Sequence, residues 1–242
     1  MCTVSWSFKE HGYRLYFNRD EQRSRVRAEL PRLIEWQGVE MISPIDPKGG
    51  GSWIALNSNG VVAFVLNNYA ATSTDDGSRI YKSRGEIPLS VASKLDFDSS
   101  AESIGGFGNE DYRPFLAGVV SPAGESCVIS WDGVGLERLE LDSPFVTTSS
   151  YRSKEVESYR HARYEELKAS GGSDWAWSSG LSYHQDLGNP DPAFNPAMSR
   201  EDAETHCISV ISVTSGKTEF EYLERLANRT DFSHAGNWSF GD

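Results

Sequence analysis

A mixed α+β fold follows from three features of the sequence: strand-like alternation of apolar residues at both ends of the chain, further short strand patterns between glycine-rich turns, and one long helical pattern across residues 153–169. Val4, Trp6 and Phe8 alternate with Thr3, Ser5 and Ser7, the period of a strand with one buried face. Lys9-Glu10-His11-Gly12 reads as a turn, after which Tyr13, Leu15 and Phe17 alternate again. Such a hairpin brings Arg19 and Asp20 back to the sheet end that carries Cys2.

The stretch that follows, rich in proline and glycine, reads as irregular. Trp53 to Leu56 and Val61 to Leu66 are strands joined across Asn57-Ser58-Asn59-Gly60, with Asn59-Gly60 the turn signal. Ile87 to Leu95 predicts a short helix with Pro88 in its first turn, and Asp96 to Asp111 a polar loop or short helical insertion. Strand patterns return at Leu116 to Val120, Cys127 to Trp131, Leu136 to Leu141 and Phe145 to Thr148. Within residues 153–169, Val156, Tyr159, Arg163 and Leu167 recur at helical steps, and Gly171-Gly172 ends the helix. Residues 173–198 read as a packed loop, and Cys207 to Val213 with Phe220 to Leu226 close the chain as two strands. No internal repeat or linker interrupts the pattern, so one domain over residues 1–242 is expected.

Thirty-five acidic against twenty-three basic side chains give a net charge of −12, which argues against nucleic acid or an anionic membrane as the main partner. The three cysteines, Cys2, Cys127 and Cys207, have no short spacing that suggests a disulfide framework or a zinc site. The five histidines are scattered without metal-ligand spacing, and no phosphate loop or nucleophile elbow occurs, so neither a metal nor a cofactor is expected. No signal-peptide pattern and no transmembrane-length apolar run is present, and a cytoplasmic protein is expected.

Cys2 is the candidate nucleophile, against the plainer reading of a small, inert cysteine. Its small side chain suits removal of Met1 by an aminopeptidase, which would place a thiol and a free α-amine on one residue. The amine, with a reference pKa of roughly 7.7–8.0, can take the proton of a thiol near roughly 8.5 directly or through one water. An arginine beside the thiol favours the thiolate, and an aspartate can orient the ammonium and the arginine; Arg19 and Asp20 are the candidates. The series Arg19, Arg23, Arg25 and Arg27 suits either guidance of an anionic ligand or a solvated loop.

Met1-Cys2-Thr3, Asn18-Arg19-Asp20-Glu21, Gly50-Gly51-Ser52-Trp53, Leu66-Asn67-Asn68-Tyr69 and Ser83-Arg84-Gly85-Glu86 together resemble the NRDE family, also called the transport and Golgi organisation family, which looks like a branch of the N-terminal-nucleophile hydrolases. The resemblance is strongest over residues 1–90. It implies a four-layer α-β-β-α sandwich and cleavage or transfer of an acyl group at an amide or thioester through Cys2. It makes Asn68 the oxyanion donor, with Asn67 as the alternative, and gives Arg84 a place in substrate binding. The competing expectation is a carrier or trafficking factor that binds an acyl-CoA-like lipid or haem without turning it over. The chain departs from the family pattern at His206-Cys207, where Arg-Ser is common, and at Ser149-Ser150, where Ser-Asn is expected.

Overall fold

The computed structural model describes residues 1–71, 79–109, 111–172, 174–226 and 229–240. In chain order, β1 (Cys2–Lys9), β2 (Gly12–Gln22), β3 (Glu29–Trp36), β4 (Val39–Ile45), β5 (Ile54–Asn57) and β6 (Val62–Asn67) precede helices α1 (Glu86–Ala92) and α2 (Phe97–Ser103). Strands β7 (Phe115–Val120), β8 (Ser126–Trp131), β9 (Leu136–Arg138) and β10 (Phe145–Thr148) lead into α3 (Ser153–Gly171), α4 (Trp175–Ser178) and α5 (Gly180–His184). Strands β11 (Ala203–Thr214), β12 (Lys217–Arg225) and β13 (Phe232–Ser239) follow. Two compact units emerge, one built on Met1–Val26 with Leu141–Asn237 and the other on Arg27–Glu140.

The first unit holds a six-stranded sheet in the order β10-β1-β2-β11-β12-β13. Its central hairpin forms because β1 and β2 alternate apolar and polar residues on either side of the turn at Glu10-His11, and Gly12 is needed where the chain re-enters the sheet. A Cβ there would lie 2.0 Å from the Val213 carbonyl oxygen. Helix α3 packs on β10, α4 on β1 and α5 on β2. Phe145, Tyr164, Trp175 and Tyr183 form the aromatic core under these helices, with the Phe145 and Tyr164 rings stacked 4.7 Å apart.

The buried stripe of α3 is Val156, Arg160 and Tyr164, at steps of four. This is rotated from the stripe that periodicity suggested. Arg163 lies at the surface between Asp186 (2.8 Å) and Glu166 (3.0 Å), while Arg160 is fully buried. A charge enters the core here because strand residues supply its partners, something no helical period records. The helix ends where Gly172 takes φ +78°, a left-handed conformation that favours glycine.

The second unit is a seven-stranded antiparallel meander, β3 to β9 in sequence order. Helices α1 and α2 cover it: Ile87, Leu89 and Val91 pack with Val65, Phe115, Val119 and Trp131. The segment read as irregular contains the β3–β4 hairpin, turned by Gln37 (φ +53°) and Gly38 (φ +80°). That pair has the left-handed φ values of a tight hairpin, although Gln37 is not a residue that announces one. Pro31 is tolerated because β3 is an edge strand. Residues 96–111 contain α2 and a 3-10 turn at Ile104–Phe107, β9 ends at Arg138, and β13 is a further strand. Within residues 173–198, α4 and α5 form short helices; Ser173 lies outside the described residues.

The glycines at 51 and 85 have a packing reason. The two backbones cross so closely that a Cβ on Gly51 would lie 2.4 Å from the Gly85 carbonyl carbon, and Ser52 N–H donates to Gly85 O at 2.8 Å. Gly51→Ala is therefore expected to cost about 1–3 kcal/mol in chemical denaturation through backbone displacement. Gly105→Ala, where no atom lies within 4 Å of the new carbon, is expected to stay within about 0.5 kcal/mol.

Candidate active site

Strand pairing sets a row of side chains across the end of the six-stranded sheet. Cys2 lies opposite Thr148 on β10 and opposite Arg19 on β2, and Arg19 lies opposite Cys207 on β11. Directly paired residues of antiparallel strands share a face, so Thr148, Cys2, Arg19 and Cys207 line one side. Thr3, Asn18 and Asp20 point to the other side, toward α3, where Arg160 meets Thr3 and Asp20 and Asn18 donates to the His184 and Pro196 carbonyls. A bulge between Thr205 and Cys207 inserts His206 as an extra residue on β11, and this keeps Cys207 in register with Arg19.

On the α3 side, Arg160 Nη1 donates to Thr3 Oγ1 (3.1 Å), Thr147 Oγ1 (3.4 Å) and Asp20 Oδ2 (3.4 Å). Its Nε donates to the Phe194 carbonyl at 3.3 Å. Asp20 Oδ1 accepts from Thr205 Oγ1 at 2.6 Å. The carboxylate expected to orient an α-amine is thus held by Thr205 and Arg160. One buried guanidinium ties together β1, which carries Cys2, and its two neighbours β2 and β10.

Arg19 is buried on the Cys2 face, and its Nη2 reaches Glu21 Oε2 at 3.3 Å. With Met1 attached, burial pushes the Cys2 thiol above its ordinary range; the nearby amino terminus and Arg19 lower it and Asp20 raises it, but burial is the largest influence. In the Met1-bearing chain the lowering by Arg19 is therefore outweighed by burial. Burial pushes Cys207 further, to about 12, and Cys127 is also raised. Thr148 Oγ1 is buried and has no hydrogen-bond partner among the described residues, an unusual state for a hydroxyl directly across from a thiol.

Asn67, Asn68 and Arg84 belong to the second unit. Asn68 Nδ2 donates to Ser130 Oγ (3.1 Å) and the Trp131 carbonyl (3.3 Å), and its Oδ1 accepts from Ala71 N–H. Asn67 Nδ2 donates to Tyr69 Oη at 2.6 Å. The Pro114 carbonyl accepts from both Asn68 N–H (3.2 Å) and Arg84 Nη1 (2.8 Å), so these two residues are brought together. The remaining arginines of the basic series also have protein partners: Arg23 brackets Glu204, Ser199 Oγ and the Arg200 carbonyl, and Arg25 reaches Glu21.

A second polar cluster, Ser5, His184 and Asn18, lies fully or almost fully buried on the α3 side. His184 Nδ1–H donates to Asn18 Oδ1 at 2.8 Å, so Nε2 accepts from Ser5 Oγ–H at 2.8 Å. Burial and then Arg160 lower its pKa to about 3, and the imidazole stays neutral. Its chemistry is structural, fastening α5 to β1 and β2. Unfolded histidine protonates below pH ~6.5 and the folded one does not until about 3, so stability is complete above that upper value and is lost as pH falls. The expected loss is roughly 2–3 kcal/mol between pH 7 and 4.5. Urea denaturation at both values should show this slope, and His184→Gln should flatten it.

Among the described residues, no group of three or more His, Cys, Asp or Glu side chains is placed to hold a metal. No helix among them is long and apolar enough to cross a membrane.

Comparison with solved structures finds chains of similar fold. A penicillin V acylase from Agrobacterium tumefaciens aligns with a TM-score of 0.56 at 12% identity, over 94% of this chain and 84% of its own. The Caenorhabditis elegans ortholog of N-acylethanolamine-hydrolyzing acid amidase aligns with a TM-score of 0.56 at 10% identity, over 100% of both chains. A mutant conjugated bile acid hydrolase from Clostridium perfringens aligns with a TM-score of 0.51 at 13% identity, over 100% of this chain and 97% of its own. The likeness shows the fold, the α+β sandwich type of the N-terminal-nucleophile hydrolases. The sequence itself matches the Transport and Golgi organisation 2 family over residues 1–144, and the chain belongs to that family. No curated protein matches it in sequence.

Proposed function

We propose that the chain, once relieved of Met1, is an N-terminal-nucleophile protein that cleaves or transfers an acyl group at an amide or thioester bond through Cys2. The observation that carries this reading is the row Thr148, Cys2, Arg19 at the first strand position, with Arg160 and Thr205 fixing the strands from behind. The solved structures of the same fold are named as an acylase, an amidase and a hydrolase, which supports the reaction class.

The α-amine of Cys2 takes the thiol proton, and the thiolate adds to the substrate carbonyl carbon. Arg19 stabilises the thiolate and the oxyanion, and the Thr148 hydroxyl is a donor on the same face. Collapse of the tetrahedral species expels the amine or thiol, which receives the proton from the α-ammonium, and leaves an acyl-cysteine. Water or a second amine then takes the acyl group, with the α-amine again as base. A reducing, cytoplasmic setting suits this chemistry, and all three cysteines are free thiols.

Protein whose first residue is Cys2 should turn over members of a library of amides and thioesters, whereas Cys2→Ala and Met1-bearing protein should not. Saturable binding of an acyl-CoA-like lipid or haem that is unchanged by Cys2→Ala, without turnover, would establish the carrier reading instead.

A further inference from the structure

N-terminal residues are usually frayed, but Met1 is buried in a fitted pocket. Met198 and Ala203, both buried, pack against it. At the far end of the side chain, Arg200 Nη1 lies 3.7 Å from the Met1 sulfur, and Ser149 Oγ lies 3.3 Å from it while bonded to the Tyr151 carbonyl (2.7 Å) and N–H (3.1 Å), so a guanidinium donor and a hydroxyl meet the tip of an unbranched chain. The rest of the Arg200 guanidinium is held by Asp202, through Nε at 2.9 Å and Nη2 at 2.6 Å, which leaves Nη1 directed at Met1.

The walls of this pocket are braced independently of Met1. Arg225 donates to the carbonyls of Met198 (3.0 Å) and Ala197 (2.9 Å), Thr205 N–H donates to Met198 O (3.0 Å), and Arg200 N–H donates to Ala203 O (2.7 Å). Arg23 holds the Arg200 carbonyl and the Ser199 hydroxyl from the other side. A cavity collapses only as far as its lining can move, and this lining is pinned at each wall. Loss of Met1 therefore opens a preformed slot next to the residue that becomes the new terminus.

We propose that the slot now filled by the Met1 side chain is a substrate subsite for an unbranched acyl chain, methionyl in size, whose tip accepts a hydrogen bond from Arg200 beside the Ser149 hydroxyl. The methionine acts as a plug until it is removed. The inference rests on the Cys2 reading above and deepens it by naming the substrate class. A β-branched chain does not follow the path of Met1 between Met198 and Ala203, so it is excluded by shape.

The test uses full-length protein beginning at Cys2, released from a cleavable fusion, beside protein that keeps Met1. L-Methioninamide is the probe, and its binding is read by thermal shift and by protection of Cys2 from iodoacetamide. Saturable binding to the Cys2-first protein, at least ten-fold tighter than L-isoleucinamide and absent when Met1 is retained, is the expected result. Ala203→Leu should weaken it at least ten-fold and Ser149→Ala should weaken it less. Equal binding of the two amides, equal binding to Met1-bearing protein, or indifference to both variants would overturn the proposal. Acyl adducts on Cys2 without methioninamide binding would sink this inference alone. Methioninamide binding without any adduct from an acyl-donor library would leave the subsite standing as a ligand slot and remove the enzymatic reading.

Discussion

Arg160→Met is expected to destabilise the protein by about 3–5 kcal/mol, a large share of the stability of an ordinary domain. Arg160 and Asp20 both have fully buried side chains, and the guanidinium is the charge that faces the carboxylate across 3.4 Å. Methionine fills much of the same volume but donates nothing, so Asp20 would keep only the Thr205 hydroxyl and its charge would stand uncompensated in the core. Thr3 and Thr147 would lose a shared donor at the same time. Lys168→Met on the same helix is the control: its pair with Glu165 is 40% exposed on each side, and its loss should cost no more than about 1 kcal/mol. Urea denaturation of both variants at neutral pH measures the difference. A cost for Arg160→Met as small as that of the control would mean that the network behind Cys2 contributes nothing.

The second large effect concerns the thiol. In the Met1-bearing chain, burial holds Cys2 protonated at neutral pH. Release of Met1 exchanges an uncharged amide for an ammonium on the same residue, so the apparent pKa should fall below the ~8.5 of free cysteine. Site-resolved alkylation at pH 7 should then label Cys2 at least about ten-fold faster than in the Met1-bearing protein, by the ratio of thiolate fractions. Cys127 and Cys207 are buried with raised pKa values and should label slowly in both forms. Arg19→Leu should move the Cys2 profile to higher pH, and Arg19→Lys should restore part of the shift. Equal labelling of all three cysteines, indifferent to Arg19, would identify Cys2 as an ordinary buried thiol.

The parts of the fold legible in the sequence are those in which local pattern and tertiary need coincide. The β1–β2 hairpin is read directly from its period of two, and the pairing of Cys2 with Arg19 follows from the short turn at Glu10-His11. The helix of residues 153–171 is equally plain in extent, but its buried face is not, because Arg160 is drawn inward by Thr3, Asp20 and Thr147, which lie far away in sequence. The β3–β4 hairpin escapes notice for a local reason: Pro31 argues against a central strand, and Gln37 does not signal a left-handed turn. Strand β13 lies at a sheet edge with no fully buried residue, so it has no clean alternation to read. Of the site, the sequence marks the candidate nucleophile and its neighbour on β2. Thr148, Thr205 and Arg160 carry no local signal, since their roles exist only through the register of β10, β11 and α3 against the first hairpin.

The most direct test of Cys2 as a nucleophile is the intact mass of the Cys2-first protein after incubation with a mixed library of amide and thioester acyl donors. The mass should rise by that of one acyl group, the adduct should map to Cys2, and it should be absent from Cys2→Ala and from protein that keeps Met1. A protein that stays at its native mass with every donor, while its three thiols remain intact and its fold is unchanged, would contradict acyl transfer through Cys2.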